Sequence, residues 1–313
     1  MNVSIAICTW NRSRLLRQTL DHIVQMEIPQ GIDWELVIVD NRSTDDTPDV
    51  IKSFSDRLPV KYVFEPEQGH SASRNRAIDE AAGDYILWTD NDVIVNRRWL
   101  AAYVEGFGRH PDAGYFGGKI IPVFESEKPE WLEETWNKCR AVFAWRDLGD
   151  EEMELPANVF PYGANFAIRA DLQRRFRFDT AQGRKAQGMI GNDEIQVLRQ
   201  IASTGFHGVW LPQASLQHYI SDDRATPQFV QSYFVGQGHT NITEGKVRKS
   251  RSAAWREWLQ NQVGFRFKRI HHPPEVWVSH LIRAGLSRGE YLALREAVPR
   301  PKNNPVANDS TTN

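Results

Sequence analysis

The sequence predicts an α/β fold, a mostly parallel sheet covered by helices on both faces, and three observations carry that expectation. Four short apolar runs recur within the first ninety residues: VSIAIC from Val3, WELVIVD from Trp34, VKYVFEP from Val60 and DYILWTD from Asp84. Their brevity and β-branched content mark them as strands. Segments of helical periodicity separate them, and buried strands alternating with crossover helices imply a parallel, doubly covered sheet.

Each helix has its own signal. RLLRQTLDHIV places Leu15, Leu16, Thr19, Leu20, Ile23 and Val24 on one face, with Asn11 or Ser13 as N-cap. Asp45, Asp46 and Thr47 precede Pro48 at the start of the second helix, which continues through VIKSF. A third helix is expected over residues 71–82, closed by Gly83 as a C-terminal glycine. After Trp99 the pattern loosens. GYFGGKIIPVF reads as a strand broken by Gly117 and Gly118, and residues 125–160 are acidic, Trp-bearing and either helical or looped. Strand signals return at ANFAIRA and HGVWLPQ. A glycine-containing stretch from Gly183 to Gly191 leads into GNDEIQVLRQIASTG, a helix starting near Asp193 and stopping at Gly205.

With 313 residues, 41% hydrophobic and 25% charged, the chain is an ordinary globular protein, one large domain with a tail, PRPKNNPVANDSTTN, expected to be disordered. A net charge of −2 gives little global steering. Two distant cysteines, Cys8 and Cys139, exclude a disulfide framework and a CxxC metal site and point to a reducing, cytosolic setting. MNVSIAICTWNR lacks the organisation of a signal peptide, and no window reaches the ~18 apolar residues of a membrane span. A soluble or surface-bound protein is expected.

Open parallel sheets bind ligands beyond the carboxyl ends of their strands. Those exits here are Thr9 to Asn11, Asp40 to Asp45, Glu65 to His70 and Asp90 to Asp92, all rich in polar groups. In extended backbone, residues i and i+2 point the same way, so Asp90 and Asp92 can aim at one ligand. Two hard oxygen donors suit Mg²⁺ or Mn²⁺, which shares its remaining positions with water and substrate phosphates. The same tripeptide also makes an ordinary turn, so its position at a fourth strand end is what gives it weight. Neither a GxxxxGK[ST] phosphate loop nor a GxGxxG fingerprint is present.

Four ordered motifs carry a resemblance: CTWNR at 8–12, VDNRSTDDT at 39–47, GHSASRNRAIDEAAGDYILWTDND at 69–92 and GNDEIQVLRQIASTG at 191–205. Over about the first 220 residues the chain resembles a family 2 glycosyltransferase of the GT-A fold. The resemblance implies a Rossmann-like sheet and transfer of a sugar, with inversion, from a nucleotide-diphosphate donor, often a UDP-sugar, to a saccharide or lipid-linked acceptor. It implies a donor pocket lined by Thr9 and Asn11, Asp40 accepting a hydrogen bond from the base, and Arg74 near the base or diphosphate. Asp90, Asn91 and Asp92 would form the DxD element on the metal and ribose side, with His218 completing the metal site. Asp193 matches the family's general base, with Glu194 second because this chain has Asn192-Asp193-Glu194 where the family usually shows Glu-Asp. Gly163 and Asn165 match a position facing the donor sugar or acceptor.

By this reading residues 1–225 form the transferase domain, 1–100 its nucleotide-binding half and 101–225 its acceptor and catalytic half. Residues 226–298 form a basic helical extension and 299–313 the tail. From Gly245 to His272 eight Lys or Arg residues face Glu257 alone, so this stretch is +7 and the remainder −9. Trp255, Trp258, Phe265 and Phe267 are interleaved with them. Such a segment either lies on an anionic membrane, suiting a lipid-linked acceptor, or packs its aromatics on the domain as a solvated helix. No recognition motif accompanies the charge, so nucleic acid is not an expected partner. Two rival functions stay open: a sugar nucleotidyltransferase, which would need a Gly-rich basic loop that CTWNRSRLL lacks, and a binding protein without turnover, against which Asp90, Asp92 and Asp193 weigh.

Overall fold

The computed structural model describes residues 1–180 and 193–297. The stretch from Gly183 to Gly191 and the tail 299–313 lie outside the described residues. Four strands come first, β1 (Asn2–Thr9), β2 (Asp33–Asp40), β3 (Val60–Phe64) and β4 (Tyr85–Thr89), all parallel in the order β3-β2-β1-β4. Their apolar runs are continuous because alternate residues enter different cores. Val3, Ile5, Ile7, Leu36, Ile38 and Leu87 face one side, whereas Ala6, Val37, Val39, Ile86 and Trp88 face the other.

Helices α1 (Ser13–Ile23) and α2 (Thr47–Lys52) cover the first side, and α3 (His70–Glu80) covers the second. The short β5 (Val93–Val95) and α4 (Trp99–Arg109) follow, then β6 (Tyr115–Phe124), α5 (Glu130–Glu134) and α6 (Trp136–Cys139). Next come β7 (Met153–Glu154), β8 (Asn165–Arg169), α7 (Ala170–Arg175), α8 (Asp193–Ser203) and β9 (Gly208–Ile220). Strand β8 runs antiparallel to both β4 and β6, and β9 pairs parallel with β6 and antiparallel with β5, so the second half of the sheet is mixed. Strand order reverses between β1 and β4, and the crevice at such a reversal is where a ligand fits.

Three long helices close the described chain: α9 (Pro227–Thr243), α10 (Arg251–His271) and α11 (Pro274–Glu296). Thr226 and Ser250 cap the first two, accepting hydrogen bonds from the amides of Phe229 and Ala253. Val230 of α9 and Trp277, Val278 and Leu281 of α11 share a third core with Leu132, Cys139, Phe143 and Ile220. The helical extension is thereby anchored on the acidic, Trp-bearing segment.

Several local expectations are corrected. Helix α1 has no side-chain N-cap; the Ser13 amide instead donates to Asp45 Oδ2 at 3.1 Å, across the mouth of the sheet. Helix α3 ends at Glu80, before Gly83, and Gly83 lies so close to β1 that an added Cβ would sit 2.6 Å from the Ser4 nitrogen. Gly117 and Gly118 do not break β6. The strand continues through a register shift between Gly118 and Ile120, and Gly118 is bare because the Ala214 carbonyl and Asn165 occupy the space a side chain would need. Strand β9 extends well past HGVWLPQ and contains His218.

Candidate active site

The end of β4 leads directly into Asp90, Asn91 and Asp92, and β5 then pairs with β9 so that Val93 sits opposite His218. That register brings a histidine from far along the chain beside the acidic tripeptide. Asp90, Asp92 and His218 each offer a ligand atom, all within 4.8 Å of one another. His218 is buried, with Nε2 3.3 Å from Asp92 Oδ1 and Nδ1 lacking a hydrogen-bond partner among the described residues. Arg224, just beyond β9, places Nη1 3.2 Å from Asp92 Oδ2. Burial favours a protonated Asp92, but His218 and then Arg224 outweigh it and hold the carboxyl well below the usual range. Two oxygen donors and one imidazole, with the acid held ionised, fit a divalent cation of the Mg²⁺ or Mn²⁺ type.

The neighbouring exits of β1 and β2 are stitched together. Asn11 and Arg42 both have left-handed backbone, with φ of 50° and 62°, an unusual conformation for residues with a side chain. Asn11 Oδ1 accepts from the Thr44 amide at 2.7 Å, and the Asn11 amide donates to Ser43 Oγ at 2.9 Å. Asp40 is buried and accepts from the Ser43 amide at 2.9 Å and from the Tyr62 hydroxyl at 3.1 Å. Over these loops opens a cleft of about 520 Å³ lined by Trp10, Asn11, Arg42 and Phe64, and Trp10 and Phe64 are exposed there. Thr9 is buried, and its hydroxyl accepts from Asn91 Nδ2 at 3.0 Å. Asn91 Nδ2 also donates to the Cys8 carbonyl at 3.3 Å, so this end of the amide ties the acidic tripeptide to β1.

The third part lies at the start of α8. Asp193, 7% exposed, has Oδ2 3.2 Å from Arg74 Nη1, 3.5 Å from Ser71 Oγ and 3.6 Å from His70 Nδ1. Burial raises its proton affinity, yet Arg74 and His70 prevail and keep Asp193 well below the ordinary carboxylate range. Glu194 behaves oppositely. Burial and the adjacent Asp193 charge push it up to about 7, with Arg74, 3.5 Å away, opposing them. Arg74 lies under the rings of Phe178, Trp88 and Phe166, and Phe178 is the nearest at 4.9 Å. Despite its burial it stays charged, because Asp193, Glu194 and Asp90 all act on it. Arg74 thus pairs directly with Asp193 and Glu194 and feels the Asp90 charge from farther off. Gly163 touches the same site: a Cβ there would lie 2.9 Å from Arg74 Nη2 and 3.4 Å from the Glu194 carboxyl.

Asn165 departs from its expected role. It is fully buried, its Oδ1 accepting from Trp99 Nε1 at 2.8 Å and the Tyr103 hydroxyl at 2.9 Å. Its Nδ2 donates to the carbonyls of Ala214 and Lys119 at 2.7 and 3.0 Å. With all four bonds made inside the fold, it has nothing left to offer a sugar. The sequence gives His70 only a place in a polar strand exit, without a role, and gives Arg224 none. His70 stands one helical turn before Arg74, a spacing that places both on one face of α3. Arg224 gave no such signal, since only the β5–β9 pairing brings it to Asp92.

Comparison with known proteins bears on the family and the fold. Residues 4–172 match the model of the glycosyl transferase family 2. The chain is 27% identical over 250 residues to a glucosyl-dolichyl phosphate glucuronosyltransferase of Haloferax volcanii, covering 77% of this chain and 76% of that one. It is 21% identical over 262 residues to the succinoglycan biosynthesis protein ExoM of Rhizobium meliloti, covering 81% and 79%. Among solved structures, the mannosyltransferase PcManGT of Pyrobaculum calidifontis, in complex with GDP-Man and Mn²⁺, superposes with a TM-score of 0.61 at 18% identity, over 95% of this chain and 88% of that one. S. aureus TarS 1–349 in complex with UDP gives 0.55 at 15% identity, over 96% and 93%. These likenesses establish a GT-A type fold with C-terminal helices, and the family match extends over more than half of the chain: this protein belongs to glycosyl transferase family 2 and is a glycosyltransferase.

Proposed function

We propose that the protein transfers a sugar, with inversion, from a nucleotide-diphosphate donor, a UDP-sugar by preference, to a hydroxyl of a saccharide or lipid-linked acceptor. The observation that carries this reading is the pair of acidic groups themselves: a three-donor cation group, Asp90, Asp92 and His218, and a carboxylate pair, Asp193 and Glu194, held by Arg74, whose charge the Asp90 carboxylate also favours. A transferase of this kind needs charge neutralisation for the departing diphosphate on one side and a proton acceptor on the other. Solved neighbours carrying GDP-Man with Mn²⁺ and UDP support the donor class. The glucuronosyltransferase and ExoM relatives support a glycan or lipid-linked acceptor.

In this mechanism the cleft lined by Trp10, Asn11, Arg42 and Phe64 takes the base, with Asp40 beneath it and Tyr62 already bonded to that carboxylate. Asp90, Asp92 and His218 would hold a divalent cation, which when bound would supply positive charge to the departing diphosphate. Asp193 is the general base. Arg74 and His70 by charge and Ser71 by a hydrogen bond hold its orientation, all three approaching Oδ2. Glu194, poised near neutrality, is the second proton-accepting group and the route by which pH enters the rate. Residues 1–225 form the transferase unit and 226–298 its extension. Free Cys8 and Cys139 support a reducing, cytoplasmic setting. The test is release of nucleoside diphosphate from a panel of UDP- and GDP-sugars with Mn²⁺. The reading expects turnover with at least one donor and its loss in Asp193→Asn; a folded Asp193→Asn that turns over at the wild-type rate overturns the base assignment.

A further inference from the structure

Helix α10 is about 30 Å long and has two different faces. On one, Ala254 is buried, Trp258 stacks on Tyr291 and Phe265 packs against Trp277, fixing the helix to α11. On the other, Trp255, Leu259, Val263, Phe267 and Ile270 are 44, 45, 59, 61 and 78% exposed. Their spacing places all five within roughly a third of the helix circumference. Apolar side chains scattered singly over a surface need no explanation, but five large ones in a single stripe do. Arg256 and Arg266 lie within the same arc, and Arg251 and Arg269 border it.

We infer that this stripe is a membrane-docking face: α10 lies in the plane of an anionic lipid surface, its five apolar side chains entering the acyl boundary and its arginines meeting the headgroups. Among the described residues no helix is long and apolar enough to cross a membrane, so the helix rests on the bilayer and does not span it. Charge selects this occupant over a second copy of the chain. The stretch from Gly245 to His272 is strongly basic, and pairing it with itself would bring like charges together, whereas an anionic leaflet attracts each of them. The C-terminal segment 298–313 is no better a partner, since it contains no aromatic residue, leucine, isoleucine or methionine to cover Trp255 and Phe267. The stripe belongs to the same helical group that packs on the acidic, Trp-bearing segment 125–160. Docking would therefore hold that acceptor-side region near the membrane, in keeping with a lipid-linked acceptor.

Co-sedimentation of the full chain with vesicles tests this without any catalytic readout, so its outcome is independent of the transferase reading. Vesicles of phosphatidylcholine alone are compared with an equal mixture of phosphatidylcholine and phosphatidylglycerol, at low and high salt. The expected result is binding to the mixed vesicles, weakened by salt and marginal with phosphatidylcholine alone. Arg256→Gln and Arg266→Gln should each weaken it about fivefold, the effect of one basic residue near an anionic surface. Phe267→Ser with Ile270→Ser should weaken it more than about tenfold, with circular dichroism and Tm unchanged because both side chains are already in solvent. Equal binding to both vesicle types, or binding indifferent to all four substitutions, would overturn the inference. So would self-association in solution that the Phe267→Ser, Ile270→Ser pair abolishes, with no vesicle binding.

Discussion

Asp90 and Asp92 stand with His218 and Arg224 at the end of β4, while Asp193 and Glu194 stand at the start of α8 with Arg74 and His70. Both are pairs of acids with cationic company, yet their proton affinities are arranged differently. In the first group Asp92 is held ionised, the state needed to grip a cation. In the second, Asp193 takes the closest contact with Arg74 and stays low, and its own negative charge helps lift Glu194 to about 7. A carboxyl group is thus held either permanently charged, as in Asp92 and Asp193, or close to neutral pH in its proton affinity, as in Glu194, and burial plus the nearest charges decide which.

Substitutions can separate the two groups. Asp92→Asn should have the largest effect, about 10³-fold or more off the transfer rate together with loss of divalent-cation dependence, because it removes the carboxylate that both His218 and Arg224 contact. Asp193→Asn should cost ~10²–10⁴-fold in kcat while leaving nucleotide and cation binding intact, as calorimetry on the variant would register. A control outside both groups is Asn165→Ala. It strands the Trp99 and Tyr103 donors and two carbonyls, so unfolding in denaturant should reveal a loss of at least about 3 kcal/mol.

The comparison also has a pH signature. Glu194 binds its proton more tightly in the folded chain than at its ordinary value of 4.5, so its contribution to stability is present at low pH and lost as pH rises through about 7. Asp193 and Asp92 contribute with the opposite sign, losing their stabilising charge interactions as pH falls below the ordinary carboxylate range. Glu194→Gln should therefore raise stability by about 2–3 kcal/mol at pH 8 and by little at pH 5, measured as the difference in denaturant midpoint from wild type. The smallest effect is expected at the cleft lined by Trp10 and Phe64: if it takes the base, Trp10→Ala should raise donor KM by about tenfold, near the lower end of base-stacking energies, with kcat unchanged.

Much of the first half was legible in the sequence, since a parallel strand buried on both sides writes itself as a continuous apolar run. VSIAIC and DYILWTD could scarcely be anything else once alternate residues had to fill two cores. The group around Asp90 was legible in part. Its two acids share one segment, but the positions of His218 and Arg224 depend on β9 running beyond HGVWLPQ to pair with β5, a long-range pairing that local pattern does not encode. Asn165 shows the opposite limit: an asparagine beside a strand start looks like a ligand-binding group until four internal partners exhaust it. The four aromatics of α10 divided two and two between packing and solvent, and period alone could not tell which face would meet α11.

Thermal shift on wild type and Asp92→Asn with UDP and GDP, each with and without Mn²⁺, tests the link between cation group and donor most directly. A ligand that binds only the folded state raises Tm by mass action. Wild type should gain Tm when a nucleoside diphosphate and Mn²⁺ are both present, gain little from either alone, and lose the combined gain in Asp92→Asn. A nucleotide-induced shift of the same size without the cation, or undiminished in Asp92→Asn, would contradict the account.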